Sequence, residues 1–212
     1  MIAVDRRGRG ASGDGPDYSI HREAEDVAAV VDSLSEPANV LGHSFGALCA
    51  LEGALLTNRM RRLMLYEGVP MVGSESYPPG IIERLEAILD DGDVETVLTT
   101  TLTEVAGMTV EDVERLRNQT DRWQRRIANV RSAPREMREE RDYVFSAGRF
   151  SRMHVPTMLL VGGESPEREH RNAQGVANGL PQASVTILPG QGHIAMHSAP
   201  DLFTREVIRL LV

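Results

Sequence analysis

Residues 42–46, Gly-His-Ser-Phe-Gly, have the GxSxG spacing of a serine nucleophile held on a sharp turn. The pattern needs a strand before it and a helix after it, and the sequence predicts a strand over 39–42 and a helix over 45–57. Small residues two positions on either side let the strained turn form, and glycine stands at both positions. We therefore predict that Ser44 is a nucleophile and that the Phe45 backbone N–H stabilises an oxyanion. The alternative is a glycine-flanked turn with an incidental serine.

A serine hydroxyl becomes a good nucleophile only when a neighbouring base accepts its proton. Among the six histidines, His193 is favoured because it follows a predicted strand and a glycine-rich loop, so that the base comes last in chain order. His193 and His197 could instead form a metal-binding pair, but no third ligand is spaced for zinc. His43 lies within the turn, where we expect it to pack or to form a hydrogen bond.

Strands and helices alternate at both ends of the chain, and a long helical stretch separates these ends. This order predicts an α/β fold with a mostly parallel sheet flanked by helices. We expect a core of residues 1–67 and 154–212 and a helical cap, or lid, of residues 68–153. The predicted strands are 2–5, 39–42, 62–66, 156–161 and 184–188, and the predicted core helices are 19–34, 45–57, 166–179 and 200–212.

These motifs resemble those of the α/β-hydrolase family over nearly the whole chain. The resemblance rests on VDRRGRGASG (4–13), GHSFGA (42–47), LMLYEGVP (63–70), VPTMLLVGGESP (155–166) and LPGQGHIAM (188–196). It implies a hydrolase without cofactor or metal, with a helical cap between the sixth and seventh strands of the family's sheet. The implied reaction is cleavage of an ester, thioester or related acyl bond of a small molecule. A lyase or haloperoxidase-like activity on the same residues is a weaker option.

The resemblance also implies where the acid that orients His193 stands. Many family members carry an aspartate after the seventh strand, but here Ser165 occupies that position, and a hydroxyl cannot balance an imidazolium. Other branches carry a glutamate at the end of the sixth strand, about two dozen residues after the nucleophile, which corresponds to Glu67. Either carboxylate could reach the histidine from an adjacent strand end. Of the two, we favour Glu67, which stands where these other branches carry their glutamate.

The resemblance begins at the family's fourth strand. The family's third strand normally lies beside the fourth, and the loop after that third strand supplies a second oxyanion N–H. We therefore expect unpaired backbone groups between residues 2–5 and 39–42. Of three explanations, a true start codon upstream of Met1, a degenerate gene fragment, or a shortened domain that re-pairs the family's fourth strand, we favour the first. We also expect these 212 residues alone to be weakly active or inactive. The alternative function is a non-catalytic binding domain or pseudoenzyme of the same fold.

Composition excludes several kinds of chemistry. All 23 basic residues are arginine, so a GK[ST] phosphate loop, a Schiff base and a Ser-Lys dyad are excluded. The net charge of −8 argues against a nucleic-acid partner. Residues 8–13 fit GxGxxG, but no predicted helix begins there, so we expect no dinucleotide cofactor. We expect the acidic stretch 79–114 and the arginine-rich stretch 115–152 to pair with each other.

The expected location is the cytoplasm. Cys49 is the single cysteine and stands in an apolar stretch, which indicates a buried thiol in a reducing compartment. The first ten residues carry charges where a signal peptide needs an apolar run. No uninterrupted apolar run reaches the roughly 18 residues that a membrane span needs, so no membrane partner is expected.

Overall fold

In the described part of the chain, four parallel strands form one sheet, in the order β1-β2-β3-β4. The computed structural model describes residues 1–70 and 77–211; positions 71–76 of the predicted cap and Val212 of the predicted last helix lie outside the described residues. The carboxyl ends of parallel strands meet at one edge of a sheet, which is where such folds place their sites. The strands are β1 (Ala38–His43), β2 (Met60–Tyr66), β3 (Thr157–Gly162) and β4 (Ala183–Leu188).

Helices connect the strands and also fill a long stretch of the chain between β2 and β3. Parallel neighbours need crossover connections, and α2 and α9 supply them between β1 and β2 and between β3 and β4. The helices are α1 (Ile20–Asp32), α2 (Phe45–Gly53), α3 (Ile81–Asp90), α4 (Val94–Thr100, continued by a π-helical turn, Thr101–Val105), α5 (Val110–Arg117), α6 (Thr120–Asn129), α7 (Ala133–Asp142), α8 (Ala147–Phe150), α9 (Glu167–Gly179), α10 (Ala195–Ser198) and α11 (Pro200–Leu211). The predicted α/β architecture is confirmed.

Apolar side chains cover both faces of the sheet. Successive residues of a strand point to opposite faces, so a strand buried on both faces is apolar at consecutive positions. On one face, strand residues pack with α1, α2 and α9; the members include Val31, Leu51, Leu63, Leu65, Leu159, Val161 and Val176. On the other face, strand residues pack with α10 and α11; these are Met64, Tyr66, Leu160, Leu188, Ala195 and Phe203.

The predicted strand over residues 2–5 is wrong. That segment has no strand structure, and Ile2 and Val4 are 64% and 53% exposed. A strand exists only as part of a hydrogen-bonded ladder, and β1 pairs only with β2 among the described strands. The segment instead leads into a loop closed by Asp5, whose carboxylate accepts from the Ala11 N–H at 2.9 Å. The expected gap between two strands is therefore absent from the described sheet.

Contacts divide the described chain into two units. The first comprises residues 1–19 with the described part of 76–142, and the second the described parts of 20–75 and 143–212. The predicted core and cap boundaries stay a prediction. Within the first unit, ion pairs join the acidic and arginine-rich stretches, as expected from their charges: Glu95 with Arg117 at 3.2 Å, Glu83 with Arg141 at 3.8 Å, and Glu86 with Arg138.

Candidate active site

Ser44 lies between the last residue of β1 and the first residue of α2. Its φ of 53° is in the left-handed region, which residues with a side chain seldom adopt. The turn is tight enough that a Cβ at Gly42 would overlap the backbone of Gly46, so position 42 requires glycine. The Ser44 N–H donates to the Tyr66 carbonyl of β2 at 3.0 Å. The strand, turn and helix thus stand where the GxSxG pattern requires them.

The end of β2 lies directly beside this turn. Glu67, the first residue after β2, has a φ of 39°, and among the described residues only Glu67 and Ser44 combine a side chain with a positive φ. Gly68 follows with a φ of 90°, and a Cβ there would overlap the backbone of Ser44. Backbone strain of this kind persists where the surrounding structure holds it, and it clusters at functional sites. The two strained residues are the predicted nucleophile and the favoured acid.

Glu67 and His193 form a hydrogen-bonded pair. Nδ1 of His193 lies 2.7 Å from Oε2 of Glu67, whose side chain is almost fully buried. An ionised carboxylate only accepts hydrogen bonds, so Nδ1 is the donor, and in the neutral imidazole Nε2 is then the atom that can accept a proton. Glu164, the alternative acid, is exposed and has no side-chain bond to the histidine. The structure therefore brings Glu67, and not Glu164, to His193.

Two further donors hold the other oxygen of Glu67. The Ser165 hydroxyl donates to Oε1 at 2.6 Å, and the Gly162 N–H donates to the same atom at 2.7 Å. Burial by itself would raise the pKa of Glu67, but the hydrogen bond and charge of His193, with these two donors, hold that pKa below its ordinary value. Glu67 is therefore a carboxylate at neutral pH. The sequence showed a hydroxyl at position 165 but gave no sign that it would meet Glu67.

The Ser44 hydroxyl itself forms no hydrogen bond to His193 among the described contacts. The two residues are linked through His43, whose Nε2 lies 2.8 Å from the His193 carbonyl oxygen. The two imidazole rings are in contact, with centroids 4.7 Å apart. His43 therefore forms a hydrogen bond next to the turn, which is one of the two roles expected for it.

The N-terminus of α2 supplies a positive end to the site. Phe45 is the first residue of this nine-residue helix and is buried. Backbone N–H groups at a helix N-terminus point outward along the axis and favour negative charge. This placement suits the predicted oxyanion role of the Phe45 N–H. In the described residues, no group of three histidine, cysteine, aspartate or glutamate side chains could hold a metal ion.

A parallel sheet covered by helices on both faces, with a strained serine at a strand-to-helix turn, defines the α/β-hydrolase class of protein. The chain belongs to the alpha/beta hydrolase family, whose model matches residues 1–206. None of the helices described for residues 1–70 and 77–211 is long and apolar enough to cross a membrane.

Solved structures of the same fold include an alpha/beta hydrolase from Sphaerobacter thermophilus. It is 31% identical with a TM-score of 0.81, over 98% of this chain and 80% of that chain. An enol-lactonase from Burkholderia xenovorans is 20% identical with a TM-score of 0.75, over 97% of this chain and 78% of that one. A bromoperoxidase from Bacillus anthracis is 14% identical with a TM-score of 0.75, over 97% and 79%. At these low identities, the last two structures show that they have the same fold as this chain and nothing about its activity. No curated protein matches this chain. The family and the first relative support an enzyme of the hydrolase kind.

Proposed function

We propose that this protein is a serine hydrolase that cleaves an ester, thioester or related acyl bond of a small molecule. Ser44 is the nucleophile, His193 the base and Glu67 the acid of the proposed triad. The observation that carries the proposal is the 2.7 Å hydrogen bond between His193 and the buried carboxylate of Glu67. Glu67 stands at the end of β2, which lies against the Ser44 turn. A buried carboxylate in this position fixes the imidazole tautomer and stabilises the imidazolium that forms during proton transfer.

The proposed reaction proceeds in two acyl-transfer steps. Ser44 Oγ attacks the substrate carbonyl carbon while its proton passes to Nε2 of His193, and the Phe45 N–H stabilises the resulting oxyanion. The tetrahedral intermediate collapses, and the departing alcohol or thiol takes the proton from Nε2. Water then attacks the acyl-enzyme with His193 again as base, releasing the acid and restoring Ser44. The missing hydrogen bond between Ser44 and His193 is compatible with this route, because such bonds often tighten only when substrate is bound.

A fluorophosphonate probe, which reacts with activated serines, tests the proposal on the protein as it stands. We expect weak but Ser44-dependent labelling, in line with the low activity predicted for these 212 residues, which is lost in S44A and at least about 1,000-fold slower in H193A. E67Q removes the charge beside His193 and should slow labelling by about 1,000-fold to 10,000-fold. The matched control is E164Q, which removes an exposed carboxylate from the neighbouring strand end and should label at the wild-type rate. Wild-type labelling no stronger than that of S44A would overturn the proposed function.

A second candidate is a non-catalytic binding domain or pseudoenzyme of the same fold, because the family resemblance accounts for one oxyanion N–H, that of Phe45, and not for the second. It predicts no labelling at any pH together with saturable binding of ester or lactone ligands. Calorimetric titration of unlabelled protein with such ligands distinguishes the two candidates. Binding that is unchanged in S44A, with no turnover in the wild type, would support the binding domain.

A further inference from the structure

The loop that carries His193 is attached to β2 by one phenol oxygen. In this histidine loop (residues 189–195), the Tyr66 hydroxyl donates to the Gly192 carbonyl and accepts from the Ala195 N–H at 3.0 Å. These two peptide groups lie on either side of His193 in the chain. A single oxygen therefore bridges both ends of the segment that presents the imidazole.

His43 holds the same segment at a third point. Its Nε2 pairs with the His193 carbonyl, and because a carbonyl only accepts, this nitrogen carries the proton. The His43 ring also contacts Tyr66, with centroids 5.1 Å apart, and Phe203 contacts the tyrosine at 5.4 Å. The tyrosine ring is thus enclosed by aromatic side chains and cannot swing away from the loop without disturbing them.

The position of Tyr66 in the fold makes this attachment rigid. Tyr66 is the last residue of β2, is fully buried, and packs with Leu160, Leu188 and Ala195. Burial raises the pKa of Tyr66 far above its ordinary value, so the hydroxyl keeps its proton and remains a donor. Glu67 follows it directly, so the end of one strand supplies both the carboxylate for Nδ1 and the anchor of the loop.

We propose that Tyr66 is a positioning residue, whose hydroxyl fixes the histidine loop so that Nδ1 of His193 stays bonded to Glu67. The role rests on the proposed function, because it matters for catalysis only if His193 is the base. It is distinct from packing, which the aromatic ring would supply without the oxygen. Small displacements of a catalytic group are costly, and about 1 Å can lower a rate by roughly 100-fold.

Y66F removes the oxygen and keeps the ring, so it separates the two roles. We expect kcat to fall by about 10-fold to 100-fold with KM changed less than about 3-fold. Two measurements do not depend on activity: faster hydrogen exchange at the Ala195 amide, and loss or broadening of the downfield NMR signal of the His193 Nδ1 proton.

The matched control is Y143F, which makes the same chemical change in the same unit of the chain. The Tyr143 hydroxyl bonds to Glu52, which keeps its pair with Arg149 at 2.7 Å when that hydroxyl is removed. Y143F should leave the kcat, the Ala195 exchange and the His193 signal at wild-type values.

Wild-type kcat and an unchanged His193 signal in folded Y66F would overturn the positioning role. Rapid Ala195 exchange in the wild-type protein would overturn it without any variant. If the wild type itself neither labels nor turns over, the proposed function fails. In that case the role of Tyr66 is tested by the exchange rate of the Ala195 amide and by the His193 Nδ1 signal alone. Unchanged values of both in Y66F would show that the Tyr66 hydroxyl does not fix the histidine loop.

Discussion

Ser165 cannot act as the acid of the site, but its hydroxyl forms a hydrogen bond to the carboxylate of Glu67. It stands where the family resemblance places an acid, and its own Oγ donates to Oε1 of Glu67 at 2.6 Å. With the Gly162 N–H on the same oxygen and His193 on the other, the carboxylate accepts three hydrogen bonds. Bonds to the charged form of an acid favour ionisation, which explains why Glu67 stays charged although it is buried.

S165A should raise the pKa of Glu67 and move acid unfolding to higher pH. A group whose pKa is lowered by folding stabilises the protein above its unfolded pKa, and this contribution disappears as the pH falls through the folded value. The wild-type contribution is therefore complete above the ordinary glutamate pKa of 4.5 and is lost below it. Circular dichroism during acid titration measures the change.

The control for S165A is S132A, which removes another buried serine hydroxyl whose partner is a backbone carbonyl. S132A changes no carboxylate, so any loss of stability should be the same at pH 4 and pH 7 within error. A parallel loss in S165A, with no pH dependence, would show that its hydroxyl does not act through Glu67. We also expect S165A to slow labelling of Ser44 by about 10-fold to 150-fold, the range that corresponds to losing one hydrogen bond to a charged group.

At the scale of elements, the site depends on how closely the ends of β1 and β2 approach. The register pairs His43 with Tyr66, so the residues that follow them, Ser44 and Glu67, leave the sheet side by side. Gly68 then passes the Ser44 backbone with no room for a side chain. The fold can bring the proposed nucleophile and the proposed acid together here because the strands are parallel neighbours, which align their carboxyl ends.

G68A should displace the Ser44 turn. The added methyl group overlaps the Ser44 backbone and also sits at a φ of 90°, which residues with a side chain avoid. We expect the rate of Ser44 labelling to fall by more than about 100-fold, because a shift of about 1 Å in a reacting group lowers the reaction rate by roughly that factor. Labelling kinetics and thermal unfolding measure the two effects.

G92A provides the matched control, since Gly92 also has a positive φ, of 82°, but a Cβ there meets no atom within 4 Å. G92A therefore introduces the strain of a positive φ without the steric overlap, and we expect it to lower the free energy of unfolding by about 1 kcal/mol. Wild-type labelling is expected in G92A. Equal labelling by G68A and G92A would show that the contact between the strand ends does not position Ser44.

At the scale of the whole molecule, one edge of the described sheet exposes an apolar side chain. β1 is an edge strand, and Leu41 on it is 41% exposed. An edge strand presents unpaired N–H and C=O groups, and an exposed apolar residue there favours pairing with another chain. Charged side chains on edge strands, lysine above all, discourage such pairing.

L41K should reduce self-association during mild heating. A charge in the middle of the edge strand opposes the approach of a second edge, so the aggregated fraction should fall at least about 2-fold. Light scattering at matched concentrations measures it. L56K is the control, because Leu56 is 44% exposed but lies outside the strands. Equal effects of the two substitutions would attribute aggregation to general hydrophobicity and not to the strand edge.

Local patterns were enough to predict the elements of the sheet and the Ser44 turn. GxSxG constrains five consecutive residues, and the alternation of strands and helices follows from side-chain periodicity within each segment. The same reasoning failed at residues 2–5, because apolar content predicts a strand only where a neighbour completes its ladder. Tyr66 shows a different limit: its place at the end of a strand was predicted, but its hydrogen bonds to the histidine loop were not.

The sequence by itself determined which residues could be nucleophile and base, since spacing and chain order are properties of short segments. Only the tertiary structure showed that Glu67, and not Glu164, bonds to His193, that Ser165 donates to Glu67, and that the Tyr66 hydroxyl bonds to both the Gly192 carbonyl and the Ala195 N–H. These contacts join residues about 100 or more positions apart in the chain. They depend on which strands are neighbours and on their register, and a hydrogen bond forms only when such packing brings donor and acceptor to about 3 Å.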